Sequence, residues 1–494
     1  VISARKHLAI GLFLTLLLIS LASRGLLSAY SYWSDEAFTV ATVNSSWLSM
    51  FRDWIIPDTA PPLYPVLLKS WVGVFGSSEI TTRLFSLLCV STSLVILALA
   101  SWRKGLIAFY ASILFLGTAP VFSRYGQESR NYALVLLLAS VSVLLLLKVI
   151  GVSGRSRENG DSWSLWFRLS LLVLSLSHYF ALVYSFSLLI SNSVYQSCRG
   201  CCSRKDLALD VQIALAMLAW PVYHFGIAGS LRSSYSSFSW NQVQPISGTI
   251  SNLLYGLLPV VQGSLLLSFL VIVAMAALGY CVNLNPSVSE LIKLEVSFLL
   301  VSSLVFTASI VAIDCFKPLS TDRNFIVLVP AVTLIIANSL QAVSSFRNKT
   351  LLFCCGSLFG YLLIQQYNIS ANNLLGGKIV PYENYKSLSA MVFNSDLCKR
   401  GQCFTYHTER HVNHVYFDSS RSRVVDVSVF PDNPDTASAF IMSRGGYLSI
   451  KDRIIPPLTC YQPVQAWDMA TVLLASSANQ QLLETGKIYP CQER

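Results

Sequence analysis

The sequence predicts an all-α polytopic membrane protein of about eleven transmembrane helices. It adds interfacial helices in the first outer loop and a small α/β extracytoplasmic domain at the C-terminal end. Three observations carry this. Hydrophobic residues make up 53% of the 494 positions and charged residues only 12%, whereas soluble globular chains carry about 25% charged residues. The apolar residues fall in blocks of about the length a membrane-spanning helix needs. Composition changes near Gly376 and Gly377, after which residues 376–494 are mixed and charged.

The blocks run over 8–28, 80–101, 106–122, 131–150, 164–178, 179–197, 207–226, 264–284, 294–313, 325–342 and 351–368. The first is longer than a signal-peptide core and lacks a small-residue cleavage site, so it is expected to be a retained helix. Orientation follows from lysine and arginine. Arg5, Lys6, Arg103, Lys104, Arg155, Arg157, Arg168, Arg199, Arg204, Lys205, Arg347 and Lys349 all fall on one face in this topology. That face is expected to be cytoplasmic, with the N-terminus on it and the C-terminal domain outside; the compact loops fit a bacterial inner membrane and hence a periplasmic tail. The net charge of +10 is thus a topology signal, and no basic-aromatic patch points to nucleic acid.

Residues 1–375 form the expected transmembrane domain and 376–494 the soluble one. Cys398, Cys403, Cys460 and Cys491 lie in the tail, where an even number in an oxidising compartment suggests disulfides. Cys198, Cys201 and Cys202 are expected to be reduced. His407, His411 and His414, with Glu409 and Cys403 near, are weighed as a metal site against an ordinary surface segment, and the latter is favoured.

The outer loop over 29–79 is patterned. Asn44, Ser45 and Ser46 read as an N-cap. Trp47, Leu48, Phe51, Trp54 and Ile55 then recur at helical spacing up to Pro57. A second stripe of Tyr64, Leu67, Leu68, Trp71, Val72 and Phe75 ends at Gly76. Both are expected to lie in the interface, either as part of a site or as a packed lid.

Four polar groups fall on the same face. Trp33, Ser34, Asp35 and Glu36 follow the first helix. Two adjacent carboxylates there suit a base that takes a proton from an acceptor hydroxyl, or simply cap a helix. Arg124, Gln127, Glu128, Arg130 and Tyr132 form a second group, suited to an anion or to a local salt-bridge lock. His178 and Tyr179 form a third. Thr321, Asp322, Arg323 and Asn324 form a fourth. A phosphate leaving group departs as a stable anion, so it needs arginine forks or N–H donors rather than a strong acid.

In order and spacing these residues resemble the C-type membrane glycosyltransferase superfamily (GT-C), in the branch of protein O-mannosyltransferases and lipid A aminoarabinose transferases. The matching elements are Asp35 and Glu36; Pro61, Pro62, Leu63 and Tyr64; Gln127, Glu128, Ser129, Arg130, Asn131, Tyr132 and Ala133; His178 and Tyr179; and Arg323 ahead of Pro330. The family's histidine before the two prolines is replaced by Ala60, with Asp58 nearby. The likeness spans roughly residues 5–345.

The resemblance implies an inverting glycosyltransferase that takes a sugar from a polyprenyl-phosphate donor to a hydroxyl on a glycolipid, polymer or protein, at the non-cytoplasmic face. Asp35 and Glu36 would be catalytic, with Asp35 the base. Arg124, Arg130 and Arg323 would bind donor phosphate. Asp58, Tyr64, Gln127, Glu128, Tyr132, His178 and Tyr179 would contact substrate. Some members of the superfamily use a divalent metal ion, and no ligand set here has strong spacing. A lipid or glycan transporter is the alternative. It would favour inverted repeats and charges at mid-membrane, which the sequence lacks; a third reading, a non-catalytic assembly or receptor protein with the tail as its working part, is opposed by the intact Asp35 and Glu36 pair.

Overall fold

The computed structural model describes residues 4–27, 32–152, 157–199, 203–228, 246–257, 282–283, 286, 288–344 and 349–375, and in the tail 389, 403–406, 412, 415–416, 424–427, 439–443, 462–463 and 470–474. The helices, in chain order, are α1 (Ala4–Ala22), α2 (Arg24–Leu27), α3 (Ser34–Asn44), α4 (Trp47–Ser49), α5 (Leu63–Phe75), α6 (Glu79–Trp102), α7 (Leu106–Thr118), α8 (Pro120–Tyr125) and α9 (Tyr132–Val152). They continue with α10 (Arg157–Ser175), α11 (Tyr179–Cys198), α12 (Arg204–Pro221), α13 (Ile246–Leu257), α14 (Glu290–Phe316), α15 (Val329–Val343) and α16 (Lys349–Leu375).

The chain is an integral membrane protein. Six helical segments among the described residues are long and apolar enough to cross a bilayer: Ala4–Ala22, Glu79–Trp102, Tyr132–Gly151, Arg204–Ile227, Glu290–Phe316 and Asp322–Val343. Their outer faces keep large apolar side chains uncovered, such as Leu12, Phe13 and Leu16 on α1 and Leu304 on α14. Patches of that kind on a water-soluble chain would drive association, whereas lipid covers them without cost. The expected span over 264–284 falls almost wholly outside the described residues. The block over 106–122 is broken at Ala119, where Pro120 starts α8 as its first residue, a position in which the missing N–H of proline costs nothing.

Two compact units divide the chain. The larger holds Val1–Arg24, Ser46–Trp71 and Arg83–Leu375; the smaller gathers Gly25–Ser45, Val72–Thr82 and Gly376–Arg494.

In the larger unit, Ser46 caps α4 by accepting the Ser49 N–H at 3.2 Å. The chain then widens into a π-helical turn over Met50–Ile55, closed by Ile56 N–H on the Phe51 carbonyl at 3.0 Å. The helical stripe read over 47–55 is therefore helical but not α throughout. The second stripe becomes α5. Its stop at Gly76 belongs to the smaller unit, where φ is +83°, a conformation other residues adopt only under strain.

Polar groups tie the apolar helices together. Arg168 lies inside α10 rather than in a basic loop, and is buried. Its Nε donates to Asp210 Oδ1 of α12 at 2.6 Å, while Ser193 of α11 donates to Asp210 Oδ2 at 2.5 Å. Three helices thus share one buried ion pair. Lys104, after α6, similarly donates to buried Glu295 of α14.

In the smaller unit, a five-stranded sheet has the order β2-β1-β3-β5-β4, with β1 (Cys403–Tyr406), β2 (Val424–Val427), β3 (Ala439–Ser443), β4 (Gln462–Pro463) and β5 (Ala470–Leu474). β1 runs parallel to β2 and β3, and β5 antiparallel to β3 and β4. Cys403 starts β1; Cys201, Cys202, Cys398, Cys460, Cys491, His407, Glu409, His411 and His414 lie outside the described residues. Cys198 is a free thiol.

Tyr416 joins distant pieces of this unit. Its hydroxyl accepts the Tyr32 N–H at 2.6 Å and donates to Glu79 Oε1 at 3.3 Å. The buried Tyr32 hydroxyl in turn donates to the Ser77 carbonyl at 3.0 Å and meets Thr82 Oγ1 at 2.9 Å.

Candidate functional site

Three elements of the larger unit converge on one charged cluster. The first is the turn from α8 to α9. Gln127 Nε2 donates to the Ser123 carbonyl at 2.7 Å, and Arg130 N–H to the Glu128 carbonyl at 2.8 Å, so the turn is held by its own groups. Asn131 Nδ2 reaches the Ser177 carbonyl at 3.0 Å, which pins this turn to the second element, the α10–α11 junction.

The third element is the 3-10 turn over Asp322–Leu328, which carries Arg323. Buried Asp314, at the end of α14, holds the approach to it: Oδ1 accepts Leu319 and Ser320 N–H at 2.9 and 3.1 Å, and Oδ2 accepts Thr249 of α13 at 2.8 Å. Gly256 of α13 lies so close to the Asp322 carbonyl that a Cβ there would collide with backbone. The glycine lets α13 press the 3-10 turn into place.

At the centre, Arg124 Nε donates to Glu128 Oε1 at 3.0 Å; Glu128 is buried, whereas the Arg124 side chain keeps 35% of its surface exposed. Burial alone would weaken the Arg124 charge, but Glu128, Tyr125 and Asp322 outweigh it and hold the guanidinium above its ordinary value. Burial pushes the neighbouring Tyr125 phenol well up. The Tyr125 and Tyr132 rings lie 4.8 Å apart, and the Arg323 guanidinium sits 5.9 Å from the Tyr132 centroid, in cation–π range.

His178 caps α11: its Nδ1 accepts the Phe180 N–H at 3.0 Å. The ring proton therefore belongs on Nε2. Burial first, then the positive Arg130 and Arg323, push the His178 imidazole down to about 3, so the ring is neutral at ordinary pH. A neutral donor beside the Arg130 and Arg323 guanidinium groups can receive an anion without adding charge of its own.

The remaining sequence-derived residues separate. Tyr179 donates to His224 Nδ1 at 2.5 Å, and Asp58 acts electrostatically on Tyr179. Tyr64 is buried against α6, with its hydroxyl 3.3 Å from Ser86 Oγ and its ring 5.8 Å from Phe85; it packs α5. Asp35 and Glu36 occupy the first turn of α3 in the smaller unit. There they divide. Glu36 is fully buried and its Oε2 accepts the Trp33 N–H at 3.4 Å, capping the helix; Asp35 remains partly exposed. Both carboxylates meet the positive end of the helix dipole.

Sequence reading passed over His224, which is fully buried in a π-helical turn over Val222–Ile227. The available signal was an ionisable residue inside an apolar block, just after Trp220 and Pro221. Among the described residues no three His, Cys, Asp or Glu side chains gather as a metal-ligand set.

No protein-family model matches the chain, and a search of curated proteins finds no match. Solved structures do match. A crystal structure of ArnT from Cupriavidus metallidurans bound to undecaprenyl phosphate is similar at TM-score 0.52 and 15% identity, over 95% of this chain and 98% of that one. The apo form of the same protein is similar at TM-score 0.54 and 12% identity, over the same shares. At these identities the likeness concerns architecture: the chain has the fold of ArnT, a lipid A aminoarabinose transferase of the GT-C type.

Proposed function

We propose that the protein is an inverting glycosyltransferase that moves a sugar from a polyprenyl-phosphate donor to a hydroxyl acceptor at the non-cytoplasmic membrane face. The observation that carries this is one charged cluster: Arg130 and Arg323 act on a neutral His178, Arg323 lies over the Tyr132 ring, and Arg124 lies over the Tyr125 ring next to it. Three guanidinium groups at this place are an anion site, and the fold is one in which ArnT is seen bound to undecaprenyl phosphate. Arg130 and Arg323 take the donor phosphate, and Arg124, steadied by Glu128, completes the positive rim. Arginine suits this through its planar donors.

In the reaction the acceptor oxygen attacks the anomeric carbon while the bond from that carbon to the phosphate oxygen breaks. The hydroxyl proton passes to Asp35, and polyprenyl phosphate leaves as an anion. Asp35 is assigned as base by its sequence position and partial exposure, and Glu36 as its support in the first turn of α3. His178 Nδ1 and Glu128 Oε1 are engaged by Phe180 N–H and Arg124, and no step is routed through a metal ion. Residues 1–375 are proposed as the transmembrane domain, with eleven spans and a cytoplasmic N-terminus. Residues 376–494 are proposed as an extracytoplasmic α/β domain that helps to choose among glycolipid, polymer and protein acceptors.

The test is transfer of radiolabelled sugar from polyprenyl-phosphate donors by the purified protein in detergent, beside uptake of the same lipid into vesicles. Label appearing on an acceptor supports the reading. Uptake without transfer would replace it with a transporter.

A further inference from the structure

His224 stands between two unusual pieces of backbone. It lies in the π-helical turn over Val222–Ile227, closed by Ala228 N–H on the Tyr223 carbonyl at 2.8 Å. Across from it ends the other π-helical turn, Met50–Ile55. A helix end leaves carbonyls without helical partners, and His224 Nε2 meets one of them, the Ile56 carbonyl, at 2.9 Å. π-helical turns concentrate at functional sites, and here one histidine links a pair of them.

The hydrogen bonds fix the protons. A carbonyl only accepts, so His224 Nε2 carries a proton and donates it to Ile56. In a singly protonated imidazole the other nitrogen is then an acceptor. Tyr179 O–H, 2.5 Å from Nδ1, must be the donor. A flipped ring would lose both bonds; the ring lies within 11° of the Tyr179 plane, end-on to its hydroxyl, with Trp220 and Phe225 centroids 5.3 and 4.9 Å away.

The Trp220 indole N–H, which can only donate, also acts on the Tyr179 oxygen; Tyr179 therefore offers a remaining lone pair, and not a proton, to anything that approaches its oxygen from outside. Its electrostatic neighbour Asp58 is also an acceptor. The residue just before, His178, acts instead with Arg130 and Arg323. Adjacent residues at the start of α11 thus serve opposite chemistries: donors for an anion on one side, acceptors for hydroxyl protons on the other.

We propose that Tyr179, with its proton committed to His224, accepts a hydrogen bond from a hydroxyl of the transferred sugar, and that His224 is the positioning residue that commits it. This rests on the donor-binding reading above. It assigns Tyr179 to the sugar and excludes it from the phosphate.

Three variants separate the two bonds of His224. In His224→Asn the side-chain oxygen replaces Nδ1 as acceptor for Tyr179, and the donor to Ile56 is lost. In His224→Gln the side-chain nitrogen replaces Nε2 as donor to Ile56, and the acceptor is lost. Tyr179→Phe removes the phenol oxygen. The readout is binding of undecaprenyl phosphate and of its arabinosyl- and mannosyl-loaded forms to the full-length protein in detergent, with turnover measured alongside.

Wild-type protein should bind at least one sugar-loaded form more tightly than the bare lipid. Tyr179→Phe and His224→Gln should lose roughly tenfold of that preference, the worth of one well-made hydrogen bond, while bare lipid binds as before. His224→Asn should keep most of the preference. Overturning results are a wild type with no preference for any sugar-loaded form, a Tyr179→Phe variant that weakens bare lipid equally, or a reversed order of the two His224 variants. Sugar preference without turnover in the wild type would remove the transferase reading and leave this one standing.

Discussion

Glu128 is buried, yet the Arg124 side chain that bonds it at 3.0 Å keeps a third of its surface exposed. The two members of this pair are therefore not equivalent. Removing the arginine takes a charged partner from a carboxylate held away from water, whereas removing the carboxylate leaves a guanidinium that water still reaches. Arg124→Ala should cost about 3 kcal/mol, as a broken buried pair does, and Glu128→Gln nearer 1 kcal/mol. The double variant should recover part of the arginine loss. Chemical denaturation midpoints in one detergent measure all three, and equal losses for both single variants would contradict the asymmetry.

His178 makes stability depend on pH in a definite direction. Its folded value near 3 lies below the ordinary value of 6.5. Between those values the unfolded chain binds a proton that the folded one does not, so stability rises with pH across this window and falls on acidification. Each pH unit within it is worth about 1.4 kcal/mol at most. His178→Asn keeps a side-chain acceptor for the Phe180 N–H, and asparagine is a good N-cap. The variant should lose that part of the acid slope without losing stability at pH 8. Melting profiles from pH 4 to 8 would show it.

Asp35 and Glu36 are neighbours with different surroundings, and their variants should differ in kind. Asp35→Asn should abolish sugar transfer and leave the fold and bare-lipid binding unchanged. Glu36→Ala should instead lower stability by about 1 kcal/mol through loss of the cap on Trp33. Gel filtration and thermal melts, run with the transfer assay, distinguish them; an active Asp35→Asn protein would remove it as the base.

The Arg168–Asp210 pair should prove structural. Arg168→Met leaves Asp210 and its Ser193 partner buried beside an absent charge, a loss of about 3–5 kcal/mol. Arg168→Met combined with Asp210→Leu should return most of that stability. Lipid binding by the double variant should match wild type, since neither residue belongs to the charged cluster around His178.

Much of this was legible from residue order. Ser46 does cap a helix, and α5 ends where Gly76 was expected to end it. Arg124, Glu128, Arg130, Tyr132, His178 and Arg323 come together because each lies at the end of an apolar block, and spans of similar length bring such ends to a common level. The two π-helical turns were not legible, because apolar spacing cannot tell a five-residue hydrogen bond from a four-residue one. Tyr64 was read as a substrate residue from its motif, but its hydroxyl meets Ser86 and its ring Phe85; a motif does not say which way a tyrosine turns. His224 was hidden for a related reason. Its partners are Tyr179 and Ile56, which are far away in sequence.

The bond between Tyr416 and Tyr32 spans 384 positions. It has a consequence for the order in which a ribosome can deliver this protein. The segment that carries Asp35 and Glu36 emerges just after the first membrane helix, and the other membrane helices described here follow before Tyr416 does. A chain still being made can thus have its helices in the bilayer while the backbone just ahead of Asp35 lacks its hydroxyl partner. The smaller unit is assembled from pieces before and after most of the membrane helices, so the carboxylate pair acquires its finished surroundings only after the segment with Tyr416 has emerged.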